Sequence, residues 1–154
     1  MKLSKIINKL ELHVINFQDN EISDLTNDSR KVKKDSLFIA VKGKNYDGNL
    51  FIDKAIKSGA KAILTSEIPS KQYTVPILVA SNMNISQAEI AKNFFKDPLS
   101  SIRVVGVTGT NGKTTTTYIL NSIFSSFEKT AVVGTIRNII GKEIIHTENT
   151  TPDP

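Results

Sequence analysis

Residues 109–115 read GTNGKTT and place two glycines, a lysine and a run of hydroxyls within seven positions. In a phosphate loop, backbone N–H groups surround phosphate oxygens, a lysine reaches the β- and γ-phosphates, and the following hydroxyl meets Mg2+. Gly109 and Gly112 let the backbone approach an anion without a Cβ in the way, and Thr110 and Asn111 carry the chain between them. Lys113 is the cation and the candidate catalytic group, and Thr114 is the candidate hydroxyl for Mg2+. The general pattern GxxxxGK[ST] misses by one position, because Val107 stands five residues before Gly112 and the glycine is at Gly106. The alternative is a Gly-Thr turn with an incidental lysine. Thr116 and Thr117 read as ordinary helix residues.

A phosphate loop needs a strand to deliver it and a helix to aim it. Ile102 to Thr108 is a β-rich run. The segment after Lys113 reads as a helix over Thr114 to Phe127, with Ile119, Leu120, Ile123, Phe124 and Phe127 on one face. The order strand, loop, helix points a helix N-terminus at the anion. Thr130 to Val133 reads as another strand, and Ile136–Ile140 should pair with Glu143–His146 across Gly141-Lys142.

Upstream, helix and strand signals alternate. Leu3 to Leu10 has helical spacing, and Leu37 to Val41 is a compact apolar strand. Asn49 is placed to cap a helix over Leu50 to Ser58 that ends at Gly59. Ala62–Thr65 and Ile77–Ala80 read as buried strands. A helix starting at Asn84 or Ser86 should end near Phe95, with Ile85, Ala88, Ile90, Ala91 and Phe94 as its apolar positions. KDPLSS, residues 96–101, reads as a linker, since Pro98 disfavours helix at Asp97. The expectation is an α/β fold in two domains, 1–97 and 98–154.

With 39% hydrophobic and 23% charged residues, the 154-residue chain has the composition of a globular protein rather than a disordered one. No apolar run approaches the ~20 residues that cross a bilayer, and charges interrupt each short apolar group at the N-terminus. A cytoplasmic protein without membrane insertion is expected. The absence of cysteine excludes disulfides and thiolate metal sites. The net charge of +5 lies mostly before the glycine loop. Its lysines are scattered with no aromatic residues between them, so a solvated surface or a phosphorylated small molecule accounts for them better than nucleic acid. His13 and His146 have no companions at metal-ligand spacing.

GTNGKTT resembles the ATP loop of the Mur ligases, the amide-forming enzymes of peptidoglycan precursor synthesis, in which the first glycine of the general pattern is commonly absent. Residues 27–64, with DSR, LFIAVKG, DG and GAKA in order, look like the uridine-nucleotide-binding N-terminal domain of that family. ENTTPDP, residues 148–154, looks like the TTP segment of the members that add the third amino acid of the peptide. The implied fold is a nucleotide-sugar-binding α/β domain followed by the beginning of a P-loop ATPase-like α/β domain.

By position, the resemblance assigns Asn27 and Ser29 to the uracil and ribose end of the substrate. Lys44, Asn45 and Tyr46 fall on the loop that contacts its UDP moiety, and Asn149, Thr150 and Thr151 match the segment for the muramoyl peptide. Asp28 and Arg30 form either a local salt bridge or a ligand contact. Thr115 adds a hydroxyl near the α-phosphate. The implied reaction is ATP-dependent: the carboxylate of UDP-N-acetylmuramoyl-L-alanyl-D-glutamate takes the γ-phosphoryl group, and a free amino acid then displaces phosphate. TTPDP leans towards meso-diaminopimelate, with L-lysine left open, and a noncatalytic nucleotide-sugar-binding module is the other class. Family members also carry a further acidic metal ligand, a carbamylated lysine and a third domain. This chain is therefore expected to be an inactive fragment of a protein that is monomeric at full length.

Overall fold

The computed structural model describes residues 1–43 and 46–145. The chain divides between Ser100 and Ser101 into two compact units.

The first unit is built on a five-stranded sheet. Its strands are β1 (Leu12–Ile15), β2 (Asp24–Thr26), β3 (Ser36–Ala40), β4 (Ala60–Thr65) and β5 (Ile77–Ala80), in the order β1-β5-β4-β3-β2. Strands β2 to β5 are mutually parallel, and β1 closes one edge antiparallel to β5. Helices α1 (Leu3–Ile6), α2 (Ile52–Lys57) and α3 (Met83–Phe94) complete the unit.

Parallel strands are covered on both faces and so read as continuous apolar runs. Strand β3 obeys this with every residue buried. Leu37 and Ile39 join a core with Leu3 and Ile6 of α1 and Ile90 of α3, whereas Phe38 and Ala40 join a second core with Ile52 and Ala55 of α2. A bulge where β3 meets β4, at which the register jumps from Ser36↔Ala60 to Leu37↔Ala62, keeps Lys61 out of both cores.

Local departures from the sequence reading have identifiable causes. The first helix ends at Ile6, because the chain turns through Lys9 at φ 66 to enter β1 beside β5. Asp47, not Asn49, caps the segment before α2, accepting from the Asn49 amide above a 3-10 turn over Gly48–Phe51. Helix α3 starts at Met83, its cap being Asn82, which accepts from the Ile85 amide. Ile85 itself is exposed.

The second unit contains α4 (Lys113–Phe124) and a three-stranded antiparallel sheet of β6 (Ala131–Val132), β7 (Asn138–Ile140) and β8 (Glu143–Ile145), in that order. The hairpin closes across Gly141-Lys142 with Ile140 opposite Glu143. Gly141 takes φ 60, the left-handed conformation that a two-residue hairpin loop asks of its first central residue. The expected strand over Ile102–Thr108 does not form: residues 103–108 pair with no neighbour among the described residues. A β-rich run becomes a strand only against a ladder, and Val104 and Val105 are instead exposed.

Candidate phosphate loop and sheet-end site

The loop before α4 is shaped by its glycines. Gly109 sits at φ 149 and Gly112 at φ 77, backbone conformations that side chains disfavour, and no atom crowds the Cβ position of Gly112. Gly112 is the N-cap of α4 and brings no side chain to its first-turn amides. Amides left without a side-chain cap, with the positive end of the helix dipole, are suited to receive an anion. The Lys113 ammonium folds back over the loop and donates to the carbonyls of Gly109 and, at 3.4 Å, Thr110. Thr110, Asn111 and Thr115 are exposed and Thr114 is half-buried. Loop and lysine thus stand together at the start of one helix. For Mg2+ the donor set is the Thr114 hydroxyl, because no cluster of three acidic or imidazole groups occurs among the described residues. A magnesium ion that keeps waters and phosphate oxygens as its other ligands fits one hydroxyl.

Of the other predicted residues, Asn27 and Ser29 follow the carboxyl end of β2 and Tyr46 follows that of β3, an adjacent parallel strand of the first unit. This is the end at which open α/β sheets take ligands. After β2, the Asp28 amide donates to the Thr26 hydroxyl at 3.1 Å. The Asp28 carboxylate accepts from the Arg30 amide and Nε at 2.9 Å each and from Nη2 at 2.8 Å. The pair forms a local salt bridge. The Arg30 hydrogen bonds hold the Asp28 pKa down to about 2. Thr26, Arg30 and Lys31 line a cleft of about 450 Å3, while Asn27 and Ser29 lie on the intervening turn without lining it.

After β3, Lys42 and Asp47 form an isolated antiparallel bridge, and the Gly43 amide donates to the Tyr46 carbonyl at 2.8 Å. Tyr46 projects with 76% of its surface exposed. Lys44, Asn45, Asn149, Thr150 and Thr151 lie outside the described residues, as does His146.

Sequence reasoning missed what ties this turn down. Asp47 Oδ1 accepts from both the backbone and the side-chain nitrogens of Asn49 at 2.9 Å. The Asn49 side-chain Oδ1 accepts from the fully buried Thr65 hydroxyl at 2.7 Å, and that hydroxyl accepts in turn from the Glu67 amide. Lys42 and Glu67 pair at 3.0 Å, and this hydrogen bond pushes the Lys42 pKa up. The available signal was the Asp47-Gly48 pair in the loop after an apolar strand, since Asp before Gly marks an Asx-type turn.

Comparison with known proteins agrees with this arrangement. The family model for the Mur ligase family, catalytic domain, matches residues 21–104, and that for the Mur ligase middle domain matches residues 107–154. The chain is 40% identical over 156 residues to the UDP-N-acetylmuramoyl-L-alanyl-D-glutamate--2,6-diaminopimelate ligase of Oceanobacillus iheyensis, covering 99% of this chain and 32% of that protein. A solved MurF ligase from Thermotoga maritima in complex with ADP is 31% identical, with a TM-score of 0.56 over 73% of this chain and 26% of its own. A solved diaminopimelate ligase of the same description as the first relative shares the fold, with a TM-score of 0.76 and 24% identity over 94% of this chain and 30% of its own. The chain spans about a third of the length of the curated relatives it matches. With both family models matched in order, the second over the candidate loop and the helix that follows it, this chain belongs to the Mur ligase family.

Proposed function

We propose that the chain supplies the nucleotide-sugar-binding unit and the phosphate loop of an ATP-dependent ligase. The proposed reaction joins meso-diaminopimelate to UDP-N-acetylmuramoyl-L-alanyl-D-glutamate in peptidoglycan synthesis. The observation that carries this is the loop itself: uncapped first-turn amides of α4 and the Lys113 ammonium gathered within five residues. The name of the 40% identical relative supports the choice of amino acid.

In this reading Gly109 to Thr115 hold the phosphates of ATP. Lys113 exchanges its carbonyl partners for phosphoryl oxygens and offsets charge as the γ-phosphoryl group transfers, a reaction that depends on positioning and charge more than on covalent help. Thr114 would hold Mg2+, which supplies charge neutralisation when bound. Asn27, Ser29, Lys44, Asn45 and Tyr46 receive the uridine end, and Asn149, Thr150 and Thr151 the muramoyl peptide.

Calorimetric titration of the 154-residue chain with ADP and magnesium tests the loop. Weak binding lost in Lys113→Ala is expected, since charge-assisted hydrogen bonds each contribute ~1.5–3 kcal/mol. Binding unchanged by Lys113→Ala would overturn the assignment. In a protein of the relatives' full length, the same substitution should abolish ATP-dependent joining of diaminopimelate to the UDP-linked dipeptide.

A further inference from the structure

Arg137 lies on the segment between β6 and β7, and among the described residues it meets no carboxylate. Its Nε donates to the Tyr118 hydroxyl at 3.0 Å, and its guanidinium carbon stands 5.8 Å from the centre of the Tyr118 ring. A guanidinium has five N–H donors, and a phenol oxygen engages one of them. The cation is thus held by a neutral partner and keeps its charge for something else.

Its position is fixed by the way the unit doubles back. The Thr130 hydroxyl bonds the Asn121 side chain at 2.7 Å, late in α4, whereas Arg137 bonds Tyr118, one turn earlier. The chain through β6 therefore runs back along α4 towards the phosphate loop. The segment is closed by the buried Asn138, whose Oδ1 accepts from the Gly134 amide at 3.2 Å. Tyr118 follows Thr114 by four residues, which places both on one helix face, ~6 Å apart along the axis. Helical side chains lean towards the N-terminus, so the Tyr118 hydroxyl and its arginine are carried towards the Thr114 turn.

We propose that Arg137, held by Tyr118, is a second cation of the phosphate-loop site and binds an oxyanion through its outer guanidinium nitrogens. This rests on the phosphate-loop reading above. The ligand chemistry is a phosphoryl group, supplied either by the nucleotide on the loop or by the diphosphate of the acceptor. A guanidinium suits a phosphoryl group because its planar donors can bind two oxygens at once.

Calorimetry on the 154-residue chain, with inorganic tripolyphosphate, ADP and UDP as probes, tests the proposal on Arg137→Gln, Arg137→Lys and Tyr118→Phe. Arg137→Gln should weaken at least one probe about tenfold while leaving the thermal midpoint in place, with Arg137→Lys recovering part of the loss. Tyr118→Phe should weaken the same probe less. Loss confined to tripolyphosphate and ADP identifies the nucleotide as the source, and loss confined to UDP identifies the acceptor. If Lys113→Ala removes tripolyphosphate binding and Arg137→Gln changes no probe, or changes only the melting temperature, the proposal is overturned. If the unsubstituted chain binds no probe, the phosphate-loop reading fails and Arg137 falls with it.

Discussion

Asp28 shows how one side chain organises the turn that follows β2. Its carboxylate accepts four hydrogen bonds from Arg30, one from the backbone amide and three from the guanidinium, at 3.2 Å or less, while its own amide donates to the Thr26 hydroxyl. A pKa held near 2, below the ordinary 3.8, means that the folded chain binds this proton less readily than the unfolded one. The contribution to stability is therefore complete above about pH 4 and disappears as the pH falls through about 2. NMR titration of the Asp28 carboxyl should find its midpoint near 2, and Arg30→Gln should move the midpoint upward. A midpoint at the ordinary value in the unsubstituted chain would show that the ion pair does not persist in solution. Arg30 is 80% exposed along its side chain, so salt should weaken the effect.

At the level of elements, the turn between β3 and α2 is wedged rather than draped. A Cβ on Gly48 would come within 2.7 Å of both the amide and the carbonyl of Val41, backbone atoms that cannot swing away. Gly48→Ala is expected to destabilise the first unit by ~1–3 kcal/mol. Thr65→Val, close to isosteric, should cost ~1–3 kcal/mol by leaving the Asn49 side-chain Oδ1 and the Glu67 amide without their partner. Urea unfolding checks both. The helices and central strands of this unit were legible because apolar runs and helical spacing mark burial directly. Strands β1 and β2 were not, since Asp24–Thr26 is a three-residue edge and Leu12–Ile15 acquires its identity from β5. The glycine loop and the helix that starts at Lys113 were legible through the spacing of Gly109, Gly112 and the apolar positions after them. Arg137 was not, because its neighbourhood is made by β6 returning along α4, and nothing adjacent in sequence announces Tyr118.

At the scale of the molecule, the two units differ in how they spend their apolar residues. The first gathers Leu37, Ile39, Leu64 and Leu78 into a sealed core, each at most 4% exposed. In the second, Ile119, Ile123 and Phe127, three of the five positions that mark the helix face in sequence, are 55%, 52% and 80% exposed, Leu120 and Phe124 are half-buried, and Val132 is its one buried apolar residue among those described. Burial of a Leu or Ile side chain contributes ~1.5–3 kcal/mol, so the second unit forgoes most of that stabilisation. Amide hydrogen exchange should show strong protection in β3, β4 and β5 and much weaker protection in α4 and β6–β8. Equal protection in both would contradict this uneven distribution.

The antiparallel edge of the first sheet has a consequence for the order in which the protein is made. Strand β1 leaves the ribosome before its hydrogen-bonding partner β5, which lies more than sixty residues further on. Helix α1 waits longer still, because the Asn93 side chain that donates to the Ile6 carbonyl comes at the end of α3. Residues 1–20 therefore emerge before β5 and α3, and nascent chains arrested before β5 clears the exit tunnel should leave this segment open to proteases.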